Sequence, residues 1–239
     1  MTYTKSNRDG TIETLSEKTG VLHMVHGWVQ QGHPHGPLYP SKVFSKKQNH
    51  LDALSQYLER SGEITQFLDC FLEKINPDVH KEYRNAFNAG VWDTADTGPW
   101  LGRALLYKAQ VSFHKDQNDD GLSACFPVGR YTGGEMIIPS LGAKFSYRPG
   151  DVFIFYAGKM HHQVAPWVPV HQTHFDLNTT GRIGTVLFFP RHSLTQLRGK
   201  PAGWGKKTRY GQKKEEETTE EETIEYWEGD QPSGEGIER

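Results

Sequence analysis

Cysteine is scarce in this sequence and a long apolar run is missing, and each absence excludes a class of protein. Only Cys70 and Cys125 are present, so the chain has neither a disulfide framework nor a cysteine-based zinc site. No stretch approaches 18 consecutive apolar residues, and the first 20 residues lack a charged start followed by an apolar segment. We therefore expect a soluble protein of a reducing, intracellular compartment, nuclear or cytoplasmic, with no membrane partner.

The net charge of −2 conceals two parts of opposite sign. Residues 215–239 contain 11 acidic residues and one basic residue, a net charge of −10, which leaves +8 on residues 1–214. A basic body favours a polyanionic partner. The stretch 213–239 is a charge block followed by Gly, Pro and Ser, and is predicted to be an acidic disordered tail.

The pattern of residue types divides the chain into three parts. Residues 1–45 are rich in Gly, Pro, His and Lys, and are predicted to be an extended lead-in with one ordered segment, VLHMVHGWVQ. Residues 46–212 are predicted to form one domain, with supporting helices over 46–98 and a β core over 99–200. The third part is the acidic tail.

Helical spacing of apolar residues dominates the region from Lys47 to Phe87. Leucines recur on one face first, and a second apolar series follows after Ser61-Gly62. Asn76-Pro77 ends that second helix, and DVHKEYRNAFN predicts a third. The helical positions that predict buried faces are Leu51, Leu54, Leu58, Ile64, Phe67, Leu68, Phe71, Leu72 and Ile75.

After Trp100 the pattern changes to short strands separated by Gly, Pro and Asp. Seven strands at this spacing predict a sandwich, a jelly roll or a barrel, and hence an α+β protein that is mainly β. The predicted strands are RALLYKAQVSF, SACFPVGRY, EMIIP, AKFSYRP, DVFIFYAG, HHQVAPW and IGTVLFFP.

Two copies of His-x-Asp occur, at His114 and Asp116 and at His174 and Asp176. With 12 His and 12 Asp in 239 residues, about 0.6 copies are expected by chance, so position must distinguish them. The first copy follows an alternating apolar run, and side chains two residues apart on a strand project to the same side. The second copy lies in a stretch that is typical of a loop. The first is therefore the better candidate for a metal site.

A non-haem Fe(II) centre needs two imidazoles and one carboxylate on one face of the metal. The third ligand is expected on a later strand, where KMHHQVAPW offers His161 and His162, and periodicity alone does not decide between them. Arg182 opens a strand, and its guanidinium is suited to bind a carboxylate through two hydrogen bonds.

The ordered run from His114 to Pro190 resembles a known family. His114-Lys-Asp116-Gln-Asn118, GRYTGGEMIIPSLGAKFSYRPGDVFIF, HHQVAP and GRIGTVLFFP are similar to the TET/JBP-like branch, found in fungi, of the 2-oxoglutarate and Fe(II)-dependent dioxygenases. The resemblance covers about residues 100–200.

The resemblance implies a double-stranded β-helix, a jelly-roll and cupin-like core, with flanking amino-terminal helices. It implies that His114, Asp116 and His162 are the catalytic iron ligands, because the family's distal H-x-V phrase falls on His162. It implies that Arg182 binds 2-oxoglutarate, and Tyr107 is a further candidate for that contact. Asn118 is the candidate contact to the substrate.

Two departures from the family pattern lie beside Arg182. Gly184 stands where the family has Ser or Thr, and 20 residues separate the distal histidine from the arginine. The added stretch, residues 167–180, is expected to form a loop over the mouth of the active site.

The resemblance implies oxidation of a methylated nucleobase, 5-methylcytosine, thymine or N6-methyladenine, with O2 and 2-oxoglutarate as cosubstrates. Residues 198–214 interleave basic residues with Trp204 and Tyr210, a composition suited to binding DNA or RNA. We hypothesise that the acidic tail competes with nucleic acid for the same surface. Two alternatives remain open. One is an oxygenase of the same fold that acts on a protein side chain or a small molecule, and the other is a non-catalytic β-helix binding module.

Overall fold

The structure, a computed structural model, describes residues 1–45 and 48–212. The helices are α1 (Gln48–Arg60), α2 (Gly62–Ile75), α3 (Pro77–Gly90), α4 (Arg191–Leu197) and α5 (Trp204–Thr208), with 3-10 turns at Lys42–Ser45 and Pro139–Leu141. The strands are β1 (Thr2–Ser6), β2 (Ile12–Ser16), β3 (Gly20–Val25), β4 (Trp28–Val29), β5 (Leu38–Tyr39), β6 (Gly102–Tyr107), β7 (Ser123–Gly133), β8 (Met136–Ile138), β9 (Ala143–Phe145), β10 (Phe153–Phe155), β11 (Gln163–Val164), β12 (Trp167–Pro169) and β13 (Gly181–Phe188).

Three consecutive helices occupy the region where the spacing predicts them. The α2 helix begins at Gly62, directly after Ser61, and α3 begins at Pro77, whose missing N–H costs nothing at a helix start. The Asn76 side chain accepts a hydrogen bond from the backbone N–H of Val79 at 3.2 Å and so caps α3. Among the described residues, no helix combines the length and the apolarity needed to cross a bilayer.

A six-stranded antiparallel sheet forms the centre of the protein. Its strands run in the order β10-β7-β13-β6-β3, and β12 also pairs with β7. Because successive side chains of a strand point to opposite faces, Ala124 and Phe126 of β7 face the helices while Cys125 faces away from them. Tyr83 of α3 and Leu187 of β13 pack into the same helix-side core as Ala124 and Phe126.

A smaller three-stranded sheet, in the order β11-β8-β9, packs against the other face of the central sheet. The residues that join the two sheets form one buried cluster, namely Cys125, Met136, Ile138, Tyr147 and Val164. The fold is therefore β-rich, with mostly antiparallel sheets and helices on one face.

Residues 1–45 differ from the extended lead-in that their composition indicates. The β1 and β2 strands form a hairpin, and β3 is hydrogen-bonded to β6 as an edge strand of the central sheet. Side chains alternate between the two faces of β3: Met24 packs between α1 and the sheet, while Val21 and His23 face the opposite side. This alternation suits β3 to its place beside β6 in the sheet. The β3 strand overlaps VLHMVHGWVQ, the one ordered segment predicted in this region, whereas the β1–β2 hairpin was not predicted.

The strand predicted through Phe113 ends earlier, at Tyr107. Lys108 has a positive φ of 52°, which breaks the extended backbone, and its N–H donates to the carbonyl oxygen of Arg182 at 3.0 Å. The Lys108 ammonium is fully buried and forms an ion pair with Glu17. A buried ion pair thus fixes the turn at which the chain leaves the sheet. The acidic tail predicted over 213–239 lies outside the described residues.

Candidate active site

A cavity of about 850 Å³ opens between the two sheets on the side away from the helices. Residues from β3, β6, β7 and β13 form its floor, and Met136 and Val164 of the smaller sheet form part of its wall. The cavity has the size of a small-molecule or cofactor site. It also contains the principal residues that the sequence singles out, His114, Asp116, His162 and Arg182.

A pair of backbone hydrogen bonds places two histidines side by side. The N–H of His114 donates to the carbonyl oxygen of His162 at 3.0 Å, and the N–H of His162 donates to the carbonyl oxygen of His114 at 2.9 Å. Residues paired in this way project their side chains to the same face. The two imidazole centroids are accordingly 4.3 Å apart.

The carboxylate of Asp116 comes from the turn that follows His114. The N–H of Asp116 donates to the carbonyl oxygen of Ala157 at 3.2 Å, and the N–H of Asp119 closes the turn on the carbonyl oxygen of Asp116 at 2.9 Å. The turn lies directly against Gly158, where a Cβ atom would meet the carbonyl oxygen of Asp119 at 2.4 Å. Only glycine at position 158 permits this approach.

The three side chains offer their donor atoms to one point. The Nε2 atoms of His114 and His162 lie 3.4 Å and 3.7 Å from carboxylate oxygens of Asp116. Within the described ranges this is the cluster of three that could hold a metal ion, with ligand atoms all within 4.8 Å of one another. Such spacing is compatible with one ion at the centre of the group.

Hydrogen bonds at the Nδ1 atoms of both imidazoles leave each Nε2 atom free to bind a metal. The Nδ1 atom of His114 lies 2.8 Å from the carbonyl oxygen of Ser112, and that of His162 lies 3.0 Å from the carbonyl oxygen of Met160. A carbonyl only accepts, so each Nδ1 carries the proton and each Nε2 presents a lone pair to the cluster. Both rings therefore have the orientation and the tautomer of metal ligands.

The environments of the two histidines shift their pKa values in opposite directions. The pKa of His114 is raised because its protonated ring can donate a hydrogen bond to Asp116, although burial opposes the shift. Burial lowers the pKa of His162, with the neighbouring His114 adding to the effect. Burial also raises the pKa of Asp119 to about 8, reinforced by the charge of Asp116.

His161 and the second His-x-Asp copy, at His174 and Asp176, both lie outside this cluster. His161 is exposed and its ring stacks on Phe113 at 5.0 Å, whereas His162 is 6% exposed. Asp176 forms an ion pair with Arg130 and accepts a 2.7 Å hydrogen bond from the N–H of Thr173. The structure therefore gathers the first copy and His162 at one site, and not the alternatives.

Arg182 lies in the cavity floor with a buried guanidinium that has no carboxylate partner among the described residues. The residue is 3% exposed, and its Nε has no hydrogen-bond partner among the described residues. It takes part in none of the ion pairs found in residues 1–45 and 48–212. The guanidinium lies over the rings of Tyr131 and Tyr147, at 5.8 Å and 5.1 Å from their centroids. A desolvated cation held in this way is prepared for an anion.

Gly184 makes room for that guanidinium. A Cβ atom at position 184 would lie 3.0 Å from Nη1 of Arg182 and 3.6 Å from the Cβ of Leu106. The guanidinium therefore occupies the volume that a larger residue at position 184 would claim. This contact gives a physical reason for the departure from the family pattern.

Two of the predicted features lie outside the cavity, which corrects the sequence-based expectations. Tyr107 points to the opposite face of β6 from Leu106, and its hydroxyl donates to Glu17 at 3.0 Å instead of facing the site. Residues 167–180 contribute nothing to the cavity lining. That stretch packs on the amino-terminal hairpin, where the ring of His171 lies 2.7 Å from the hydroxyl of Thr4.

The outer wall of the cavity comes from a part of the chain that sequence reasoning missed. Trp28, Gln30 and Gln31 follow β3 and line the cavity, and Asp119 and His192 line it from the opposite side. Asn118, the candidate contact to the substrate, lines it too, with an exposed side chain. The alternation of Val21 and His23 in β3 was the signal for part of the cavity lining, but the bend at residues 26–27 interrupts that alternation before Trp28.

Comparison with solved structures identifies the fold. The chain superposes on NgTET1 in complex with 5mC DNA with a TM-score of 0.54 over 81% of this chain and 68% of that chain, at 19% sequence identity. The protein has a TET-like fold. No protein-family profile and no curated protein sequence matches the chain. The likeness is therefore one of three-dimensional structure.

Proposed function

We propose that this TET-like protein is a 2-oxoglutarate and Fe(II)-dependent dioxygenase that oxidises a methylated nucleobase in nucleic acid. The observation that carries the proposal is the cavity in which His114, Asp116 and His162 converge and in which Arg182 is buried without a carboxylate partner from the part of the chain that the structure describes. The proposal includes the finer description of the two facing sheets as a double-stranded β-helix.

The donor set fits a ferrous ion. Two imidazoles and one carboxylate on one face form the 2-His-1-carboxylate triad of non-haem Fe(II) oxygenases, which leaves positions on the metal open. His114 and His162 would bind through Nε2, because their Nδ1 atoms face backbone carbonyl oxygens. When bound, iron and 2-oxoglutarate supply the oxidation of a C–H group by O2, with conversion of 2-oxoglutarate to succinate and CO2.

The cavity floor fits the far carboxylate of 2-oxoglutarate. Arg182 offers two parallel N–H donors, and the faces of Tyr131 and Tyr147 restrict the guanidinium to one orientation. Because the Arg182 Nε is buried without a hydrogen-bond partner in residues 1–45 and 48–212, a bound carboxylate would satisfy a donor whose burial is otherwise costly.

The space between the iron ligands and the outer wall is available to the substrate. Trp28 supplies an apolar surface, and the polar groups of Asn118, Asp119 and His192 face the same volume. A flat ring edged with hydrogen-bonding groups matches such a lining. The DNA in the complex with NgTET1 supports a methylated base as that ring.

Succinate formation coupled to base oxidation tests the proposal. Purified protein with Fe(II), 2-oxoglutarate and O2 is supplied with methylated oligonucleotides, free methylated nucleosides or peptides, and modified nucleosides are measured by mass spectrometry. We expect succinate and oxidised base together with the oligonucleotides. His162→Ala should abolish both products, whereas His161→Ala, which changes the adjacent exposed histidine, should preserve them.

The other outcomes separate the alternatives. Succinate formation stimulated only by peptides or nucleosides would replace the nucleic-acid substrate by a protein or small-molecule one. A protein that binds neither Fe(II) nor 2-oxoglutarate would be a binding module, and the enzymatic proposal would be wrong.

A further inference from the structure

A group of exposed cations lies close to the outer wall of the cavity. We call it the basic surface, and it consists of Lys200, Lys206, Lys207 and Arg209. None of the four forms an ion pair with a carboxylate of the described residues. Lys206, Lys207 and Arg209 line a shallow cavity of about 400 Å³. Three unpaired cations around one concavity form a site suited to an anion.

Tyr210 holds the basic surface in a fixed place. The tyrosine is 5% exposed, and its hydroxyl donates to the carbonyl oxygens of His26 and, at 2.6 Å, of Gly90. Arg209 and Tyr210 both adopt positive φ angles, 47° and 58°, a conformation that is unfavourable for residues with a Cβ. Tertiary contacts must compensate for this strain, so the surface is a defined structure.

The burial of Tyr210 corrects the expectation that this residue stacks on a nucleobase. A tyrosine with its ring in the core cannot stack on a base, so the stacking role expected from the sequence is wrong for this residue. Trp204 is also engaged, because the ammonium of Lys200 lies 4.8 Å from its ring centroid. What remains available to a nucleic acid is the charge of the lysines and of Arg209.

The basic surface and the cavity share one segment of chain. Gly27 lies against the Tyr210 ring so closely that a Cβ atom would be 2.7 Å away, and Trp28, the next residue, lines the cavity. Further along, Gln212 donates to the carbonyl oxygen of Leu38 at 3.0 Å. Gly27 and Trp28, adjacent in sequence, thus contact respectively the segment that carries the basic surface and the cavity.

We propose that the basic surface binds the sugar–phosphate backbone of the nucleic acid whose base enters the cavity. The inference rests on the proposed function for the nature of the polyanion. A base inserted beside Trp28 leaves its flanking phosphates outside the cavity, and the segment that carries the cations of the basic surface contacts Gly27 and Leu38, at the two ends of the chain stretch that includes Trp28. Cations that neutralise phosphates release counterions, so affinity should fall with salt in proportion to the number of contacts.

Salt-dependent binding of DNA tests this surface independently of turnover. The triple variant Lys206→Gln, Lys207→Gln, Arg209→Gln removes three charges, and glutamine has a helix propensity similar to that of lysine. A labelled single-stranded DNA longer than about 16 nucleotides is titrated without iron or 2-oxoglutarate, from about 50 to about 200 mM salt. Because each lost phosphate contact lowers the slope of log K against log salt by about 0.7, we expect a decrease of about 2.

A control variant of equal charge distinguishes the surface from net charge. Arg8→Gln, Lys18→Gln, Lys74→Gln also removes three exposed cations, none of which lines either cavity. It should leave the slope within about 0.5 of the unmodified protein. Equal slopes for the unmodified protein and the triple variant, or equal losses in triple variant and control, would overturn the proposal.

Oxidation assays on the same variants keep the two proposals apart. If the protein oxidises no nucleic acid but the slope of log K against log salt decreases in the triple variant, the inference about the basic surface is retained and the proposed function is wrong. If the protein oxidises DNA and the triple variant retains the full slope, the proposed function stands and the inference fails. Thermal unfolding of each variant confirms that all are folded.

Discussion

Two buried arginines allow a sharp test of the cavity floor. Arg182 and Arg103 are each 3% exposed, but only Arg103 has a carboxylate, that of Asp96 at 3.1 Å. Replacing Arg182 by methionine removes a desolvated charge that has no ion-pair partner among the described residues, at the loss of two cation–π contacts of about 0.5–2 kcal/mol each. We expect the free energy of unfolding to change little or to increase, because removal of a buried charge in favour of an apolar side chain is often neutral or stabilising.

The same substitution should abolish binding of 2-oxoglutarate. Two charge-assisted hydrogen bonds of about 1.5–3 kcal/mol each correspond to a loss of about 100-fold to 10,000-fold in affinity. Thermal unfolding with Mn²⁺ in place of iron measures both effects. A cosubstrate at 100 times its Kd stabilises by about 2.7 kcal/mol, or about 5–10 °C for a chain of this size, and Arg182→Met should lose that increase.

Arg103→Met is the matched control. It leaves Asp96 and His26 buried without their cation, so we expect a loss of about 3–5 kcal/mol of stability and, where the variant folds, an intact response to 2-oxoglutarate. A full 2-oxoglutarate response in Arg182→Met would refute the assignment of Arg182. A large loss of stability in that variant would refute the claim that its charge has no partner.

Three further predictions concern other parts of the molecule. His162→Ala should lose Fe(II) binding in calorimetry while His161→Ala retains it, and equal loss in both would contradict the assignment. Burial would raise the pKa of Asp96, but Arg103 and His26 lower it to about 2 from 3.8, so its stabilising contribution is present above about pH 4 and is lost as the pH falls towards 2. Asp96→Asn should therefore flatten the curve of unfolding free energy against pH between these values. Parallel curves for the variant and the unmodified protein would disprove this prediction. Deletion of residues 215–239 should increase DNA affinity at low salt if the acidic segment competes for the basic surface, and unchanged affinity in a binding titration would remove that hypothesis.

Local signals in the sequence were sufficient for the helices and for the ligand candidates. Ser61-Gly62 and Asn76-Pro77 break the backbone at the helix ends, and such breaks depend on the residues themselves. The choice between His161 and His162 needed more, because it depends on a backbone pair between His114 and His162, 48 positions apart. Periodicity within one strand contains no information about such a partner.

The expectations that failed depended on tertiary context. The β6 strand ends before Lys108, because the Lys108 ammonium is buried and forms an ion pair with Glu17, which directly follows the amino-terminal hairpin. Tyr107 turns away from the cavity for the same reason, since its hydroxyl donates to that glutamate. Tyr210 resembles a stacking residue in a basic segment, and only the fold shows that its hydroxyl reaches two backbone carbonyl oxygens in the core.

The loop of residues 27–38 has a consequence for how such a protein can change during evolution. The candidate metal-binding cluster lies within residues 114–162, whereas Gly27, at the start of this loop, packs against Tyr210 near the end of the described chain. The residues that would bind a metal and the residues that form the outer wall of the cavity are thus encoded in separate stretches of the gene. Substitutions in the loop therefore alter the outer wall without changing any of the three candidate ligands.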